Sequence, residues 1–395
     1  MIFGVFMTEK LYDKDAYLKE FTATVTGSFK EDNGLFKIVL DKTAFFPEEG
    51  GQTPDKGTIN DIDVKDVQIK EGVICHYLSE DIPVGTEVKG VIDWEHRYTN
   101  MQMHSGEHIF SGLVHREFGY DNVGFHLSDN TATMDYNGKL TKEDILRLEM
   151  LANRVIWENR KITASFPSSE ELEKLDYRSK GPVSGPVRIV KIDGVDLCAC
   201  CAPHVRLTGE IGLFKIVSFE NYKGGVRLNF LSGKRAFLDY ERLNDIEIKL
   251  SQSLNVKKED ILSSVDKLLK TAAELEYSNT ALRRKEVEIL CKNSSSGVLF
   301  LEKENTDLLR FTMDELKKHL SCVCVVFAGN DAEGYRFLAE YDTEGLNELL
   351  DGFKGTFNAK GGGKSGSIQG TLYGKREDIV LFLKDRFENM FGNLS

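Results

Sequence analysis

His104-Ser-Gly-Glu-His108 carries two imidazoles four positions apart, and Cys200-Cys-Ala-Pro-His204 carries thiols and a further imidazole. Ile109, Leu113 and Phe118 recur at roughly helical spacing, so the segment from Met101 to Phe118 is expected to be a helix with His104 and His108 on one face. Pro203 lacks an amide hydrogen and would break a helix, which places Cys200 and His204 on a loop or knuckle. Thiolate and neutral imidazole are ligands that zinc takes readily. Either pair alone is a weak signal. The chain has only eight His and seven Cys, and the coincidence of two complementary clusters points to a Zn2+ site. Cys198 and Cys201 form a CxxC in the same segment and are alternative thiolate donors at this point.

Other patterns compete for chemistry. His104 to His108 also fits the H-x-x-E-H arrangement of inverted zinc peptidases, in which Glu107 would be a general base. Those enzymes complete their site with a carboxylate from a later helix. Here Cys200 and His204 are the obvious completing ligands, and a thiolate reduces the Lewis acidity of the metal. In Phe46-Pro-Glu-Glu-Gly-Gly-Gln-Thr-Pro54, Gly50 and Gly51 permit close backbone approach, so Gln52 could present its amide to an ester or orient water; the plainer reading is a glycine turn. Asn358-Ala-Lys-Gly-Gly-Gly-Lys-Ser365 ends like a phosphate-binding loop, but Asn358 stands where that motif needs glycine, and no Val/Ile-rich strand precedes it. What remains is a glycine-rich loop, Lys360, Gly361, Gly362, Gly363 and Lys364, in a stretch from Lys354 to Arg376 without an acidic residue. It suits an anion or nucleic acid, or is simply a solvated loop.

The elements that must position these groups divide the 395 residues into four parts. Residues 1–93 show short β-rich runs broken by glycine and acidic turns, expected to form a small β-barrel or compact sheet. Residues 94–232 combine the histidine helix, a helix from about Thr141 to Glu158, the cysteine loop and strands around 211–217 and 226–230, an α+β domain that would hold the zinc. In 233–293, Ile261, Leu268, Leu275, Leu282 and Ile289 repeat every seven residues, predicting a helical hairpin or coiled-coil arm with its bend near Asn255. Residues 294–395 alternate strands and helices and are expected to be α/β. The fold class is thus α+β and multidomain. Seven irregularly spaced cysteines do not suggest a disulfide framework, and neither a secretory signal nor a long apolar run is seen, so a cytoplasmic protein without membrane partners is expected. A net charge of -12 disfavours broad nucleic-acid binding, so any such partner must meet a local basic surface.

Assembled in order, these residues resemble the freestanding alanyl-tRNA editing proteins, relatives of the editing and C-terminal domains of alanyl-tRNA synthetase. The resemblance runs through Phe45-Phe-Pro-Glu-Glu-Gly-Gly-Gln52, Asp55-Lys-Gly57, His104 and His108, Cys200 to His204, Thr208-Gly-Glu-Ile-Gly-Leu-Phe-Lys-Ile216, Gly225-Val-Arg227 and the Lys360–Lys364 loop, which is similar to the DHHA1 domain. It implies a trans-editing hydrolase that cleaves serine or glycine from mischarged tRNA for alanine, with His104, His108, Cys200 and His204 as zinc ligands. A zinc-stabilised tRNA-binding module without catalysis is the alternative from another class. No ligase activity is expected, because the residues before Asp93 are too few for a class II catalytic core. The synthetase pattern has threonine where Glu107 stands, and Gly124-Phe-His126 replaces its usual glutamine. Glu107 and His126 are accordingly candidate catalytic groups beside Gln52. Thr43 and Ser105 are candidate donors to a substrate hydroxyl, the group that must distinguish serine from the smaller alanine. The arm and terminal domain are expected to bind tRNA and to allow a homodimer.

Overall fold

The computed structural model describes residues 7–129, 132–179, 185–302, 306–341, 345–364 and 366–391. The chain divides between Lys249 and Leu250 into two compact units, and the boundary expected near residue 93 falls inside the first.

In the first unit seven strands form one antiparallel sheet, in the order Ile62–Asp63, Gly57–Ile59, Glu87–Ile92, Glu20–Lys30, Phe36–Leu40, Val73–Leu78 and Asp66–Lys70. Along Glu20–Lys30 the buried Phe21, Ala23 and Val25 alternate with outward residues, the period that gives a strand one core face. A bulge between Val25 and Gly27 bends this long strand. Among the described residues no ladder joins the two edge strands, so of the small barrel or compact sheet expected from the sequence it is the open sheet that the strand pairing shows.

The sheet is fastened to the histidine helix, Trp94–Phe118, by a wholly buried ion pair. Arg97 donates through Nε to both oxygens of Asp55 at 2.8 and 2.9 Å, and through its other nitrogens to the carbonyls of Ala16 and Ala44. Asp93 caps the helix start by accepting the amide of His96, and Gly119, at φ +68, closes its end. Every residue from Met101 to Val114 is buried. The helix is therefore surrounded, where apolar spacing predicts only one covered face. Gly112 allows this: a Cβ there would lie 2.6 Å from the carbonyl oxygen of Val195.

Around this helix lie a four-stranded antiparallel sheet (Asn122–Leu127, Ala132–Tyr136, Gly225–Ser232, Phe214–Tyr222) and a three-stranded one (Ile162–Ser165, Ile189–Ile192, Asp196–Ala199). The helix Lys142–Trp157 starts with a capping box between Thr141 and Asp144. Thr208–Ile211 is a 3-10 turn, so the strand expected from Ile211 begins at Phe214.

The helix Lys234–Leu254 ends at Asn255, whose φ of +51 is a left-handed stop. Ile261–Asn293 follows as one long helix on which Leu268, Leu275, Leu282 and Ile289 are exposed. In the second unit a five-stranded sheet runs Val298–Leu301, Cys324–Asn330, Gly334–Glu340, Ser367–Leu372, Lys360–Lys364. One face packs Phe327, Phe337 and Ile368 against Leu349, Phe353 and Leu383. The other packs Val326 and Leu338 against Leu309, Met313 and Leu316. The Lys360–Lys364 segment, expected as a loop, is an exposed edge strand paired with Ser367–Leu372; Ser365 lies outside the described residues.

Candidate metal centre

His104 and His108 leave the histidine helix one turn apart, and the loop after Asp196–Ala199 brings Cys200 and His204 to meet them. Cys200 Sγ lies 3.6 Å from His104 Nε2 and 3.4 Å from His204 Nε2. One ligand atom from each of the four residues falls within 4.8 Å of all the others. The edge of a tetrahedron built from ordinary Zn–N and Zn–S bonds is about 3.5 Å, which these separations match. His108 Nε2 is buried without a hydrogen-bond partner, as a nitrogen that serves as a metal ligand would be. The donor set and this orphaned atom fit a zinc ion. Between the alternative thiols, Cys200 meets all three imidazoles, whereas Cys198 lies with His108 and Asp196, and Cys201 lies under Gly50.

Each imidazole is held through its other nitrogen. His104 Nδ1 donates to Gln52 Oε1 at 2.9 Å and His108 Nδ1 to Asp196 at 2.9 Å, while His204 Nδ1 meets Ser105 Oγ at 3.0 Å. The Gln52 and Asp196 contacts place the protons of His104 and His108 on Nδ1, and all three contacts turn Nε2 inward. Burial alone would raise the Cys200 thiol, but the neighbouring His104, His108 and His204 override it and hold it well below its ordinary value, favouring the thiolate. Burial opposes charge on His108, yet Cys200 and Asp196 outweigh it and raise that pKa to about 9, so a metal taken up at Nε2 would displace a proton there.

The remaining site candidates separate into near and far. Gly50, Gly51 and Gln52 form a strap against the strand Asn122–Leu127: Leu127 N–H donates to Gly51 O at 2.7 Å, and Thr53 N–H to Leu127 O at 3.0 Å. Glu107 is fully buried. Ser111 and Asn122 donate to its Oε1 at 2.5 Å each, while its Oε2 lies 3.9 Å from His108 Nε2. His126 is exposed. It is Phe125, the next residue on the alternating strand, whose ring sits 4.7 Å from that of His104. Thr43 donates in the sheet core to His76 Nε2 at 2.9 Å. Ser105 Oγ meets His204 Nδ1 and accepts the amide of Val205 at 3.3 Å. A cavity of about 410 Å³ opens beside His204, lined also by Tyr12, Tyr17 and Arg188.

Sequence reasoning misses Asp196 and Arg178, whose guanidinium grips Asp196 at 2.8 and 2.9 Å, and Arg188, which donates to the carbonyls of Cys200 and Ala202 at 2.9 Å. No local motif marks them, because Asp196 is brought to the cluster by its strand, and Arg178 and Arg188 by single backbone contacts with Cys198 and Cys200. The same holds in the second unit. Register aligns Arg336, Thr371 and Lys360 across three strands, and with Arg310 they line a cavity of about 380 Å³.

Residues 187–229 match the family described as threonyl and alanyl tRNA synthetase second additional domain, and residues 11–96 match class II (A) tRNA synthetases. These two stretches mark the chain as a relative of class II aminoacyl-tRNA synthetases. The chain is 31% identical to the alanyl-tRNA editing protein AlaX-L of Pyrococcus horikoshii over 94% of its own length and 96% of that protein. It is 29% identical to the alanyl-tRNA editing protein Aarsd1 of Rattus norvegicus over 95% and 97%. It belongs to the alanyl-tRNA editing protein family. A match to the alanine–tRNA ligase of Ignicoccus hospitalis, 34% identical, covers 76% of this chain but only 34% of that protein.

Proposed function

We propose that this protein is a hydrolase acting in trans on mischarged tRNA for alanine, cleaving the ester that joins serine or glycine to the terminal ribose. The observation that carries the reading is the convergence of His104, His108, Cys200 and His204, each imidazole oriented by a buried partner. These four would hold Zn2+, which when bound supplies positive charge to polarise an ester carbonyl or position the aminoacyl group. The protein's own groups do the rest. Gln52, Asp196 and Ser105 orient the ligands. Glu107, with one oxygen anchored and the other turned toward His108, is placed to orient water or the substrate ammonium group.

An H-x-x-E-H peptidase fits less well. Three histidines and a thiolate fill a tetrahedral set, and the carboxylate nearest the ligands, Asp196, engages His108 Nδ1 and Arg178.

The exposed Lys360–Lys364 strand with Arg310 and Arg336 is proposed as a contact for tRNA phosphates, which need a local basic surface on a chain of charge -12. The exposed leucines of Ile261–Asn293 are proposed to pair two copies of the chain. A cytoplasmic location agrees with these partners, and no helix among the described residues is long and apolar enough to cross a membrane.

The test is deacylation of Ser-, Gly- and Ala-tRNA for alanine by wild type and a His104→Ala variant. Release of serine or glycine by wild type alone supports zinc-dependent editing. A tight tRNA complex with every ester intact favours the binding module without catalysis.

A further inference from the structure

Gln52 has one end engaged and one end idle. His104 turns Nε2 toward Cys200 Sγ, 3.6 Å away, so its proton belongs on Nδ1, where Gln52 Oε1 accepts it at 2.9 Å. This fixes which way the amide points, since only its oxygen can accept that proton. The Nε2 group is thereby turned away from His104. Gln52 is 1% exposed, and its Nε2 has no acceptor among the described residues. A buried amide donor is costly to leave unmade and rare in folded proteins.

The backbone holds this donor firmly. Gly51, at φ +81, lies so close to the neighbouring strand that a Cβ would stand 2.3 Å from Phe125 O. With the Leu127 bonds on either side of it, Gln52 cannot drift. A fixed donor beside a reaction centre, made before the charge it meets, is the arrangement that stabilises an oxyanion.

We propose that Gln52 Nε2 donates to the carbonyl oxygen of the aminoacyl ester as that oxygen takes on negative charge. The inference rests on the ester-hydrolysis reading above. Water oxygen bonds to the carbonyl carbon and the carbonyl π pair moves onto oxygen, where Gln52 meets it. The pair then returns, the bond to the ribose oxygen breaks, and that oxygen takes the proton water has lost. The freed amino acid releases its carboxyl proton to solvent. Gln52 itself gains and loses no proton.

The test substitutes Gln52→Glu, which keeps an oxygen for the His104 Nδ1 proton and replaces the donor by an acceptor. Three quantities are measured: zinc per chain, kcat and KM on Ser-tRNA for alanine, and affinity for two adenosine probes. One probe carries serine through a 3′-amide. The other carries the corresponding tetrahedral phosphonate. The expected result is wild-type zinc content, kcat lower by about 100- to 1000-fold, and KM within about threefold. The phosphonate should lose about 100-fold in affinity while the amide changes by less than about threefold. An unchanged kcat, or equal weakening of both probes, overturns the proposal. So does zinc loss in the variant, which would assign Gln52 to holding His104 alone. Equal affinity of zinc-replete wild type for the two probes overturns it whatever the variant does. If wild type neither cleaves the ester nor binds either probe, it is the editing reading that fails.

Discussion

Asp196 accepts the Nδ1 proton of His108 at 2.9 Å while its carboxylate is clasped from the other side by Arg178. Burial would raise this carboxyl, but His108 and Arg178 outweigh it and keep Asp196 ionised below its ordinary range. It aligns His108 without belonging to the group of four. Asp196→Ala should therefore weaken zinc affinity by about 10- to 100-fold. Competition with a chromogenic chelator reads this directly, and unchanged affinity would remove Asp196 from the support of the site.

The three neighbouring cysteines have unequal roles. Cys200→Ser should abolish stoichiometric zinc. Cys198→Ser should leave the metal content unchanged, since Cys198 is fully buried and outside the group of four. Elemental analysis of the purified variants decides between them.

Arg97 and Asp55 join the curled sheet to the histidine helix with no exposure of either side chain. Removing one partner strands the other as a buried charge, so Asp55→Ala should cost about 3–5 kcal/mol. Urea unfolding would measure the loss, and a change under 1 kcal/mol would mean the pair behaves like a surface bridge.

His76 gives the sheet a pH dependence separate from the metal. Burial drives its pKa from an ordinary 6.5 down to about 4, and its ring is held between Thr43 Oγ1 and Ile38 O. The unfolded chain takes up the proton near pH 6.5 and the folded chain only near pH 4. The stabilisation is thus complete above pH 6.5 and declines as the pH falls to 4, by about 3 kcal/mol in total. Unfolding midpoints of wild type and His76→Gln at pH 7, 5.5 and 4 should converge as the pH drops. Parallel curves would contradict the assignment.

The four residues of the cluster could be read from the chain because spacing encodes them: a separation of four sets two imidazoles on one helix face, and Pro203 forces Cys200 and His204 into a loop. Orientation was less legible. Strand alternation turns Phe125 toward His104 and leaves His126 exposed, which no motif at residues 124–126 announces. Thr43 looked like a hydroxyl donor, but its partner His76 is brought to it by the pairing of two strands. The all-round burial of Met101–Val114 escaped the apolar pattern too, because His104, Ser105, Glu107 and Ser111 are polar yet satisfied by one another's surroundings. The glycines of Lys360–Lys364 suggested a loop. Pairing with Ser367–Leu372 makes a strand of them, since only glycine at 361 and 363 tolerates so close a neighbour.

Cys200 and His104 stand 96 positions apart in the chain and 3.6 Å apart in space. An ion shared between them closes a long loop and removes from the unfolded chain much of its freedom to separate those segments. With an ion bound, the cluster would act as a cross-link as well as in the proposed chemistry. Its reach extends to the strap at Gln52, the helix at His104 and the strand at Asp196, three stretches that ordinary strand pairing does not knit into one ladder. Chelation should accordingly be felt as a loosening of the whole first unit and not only as a loss of chemistry.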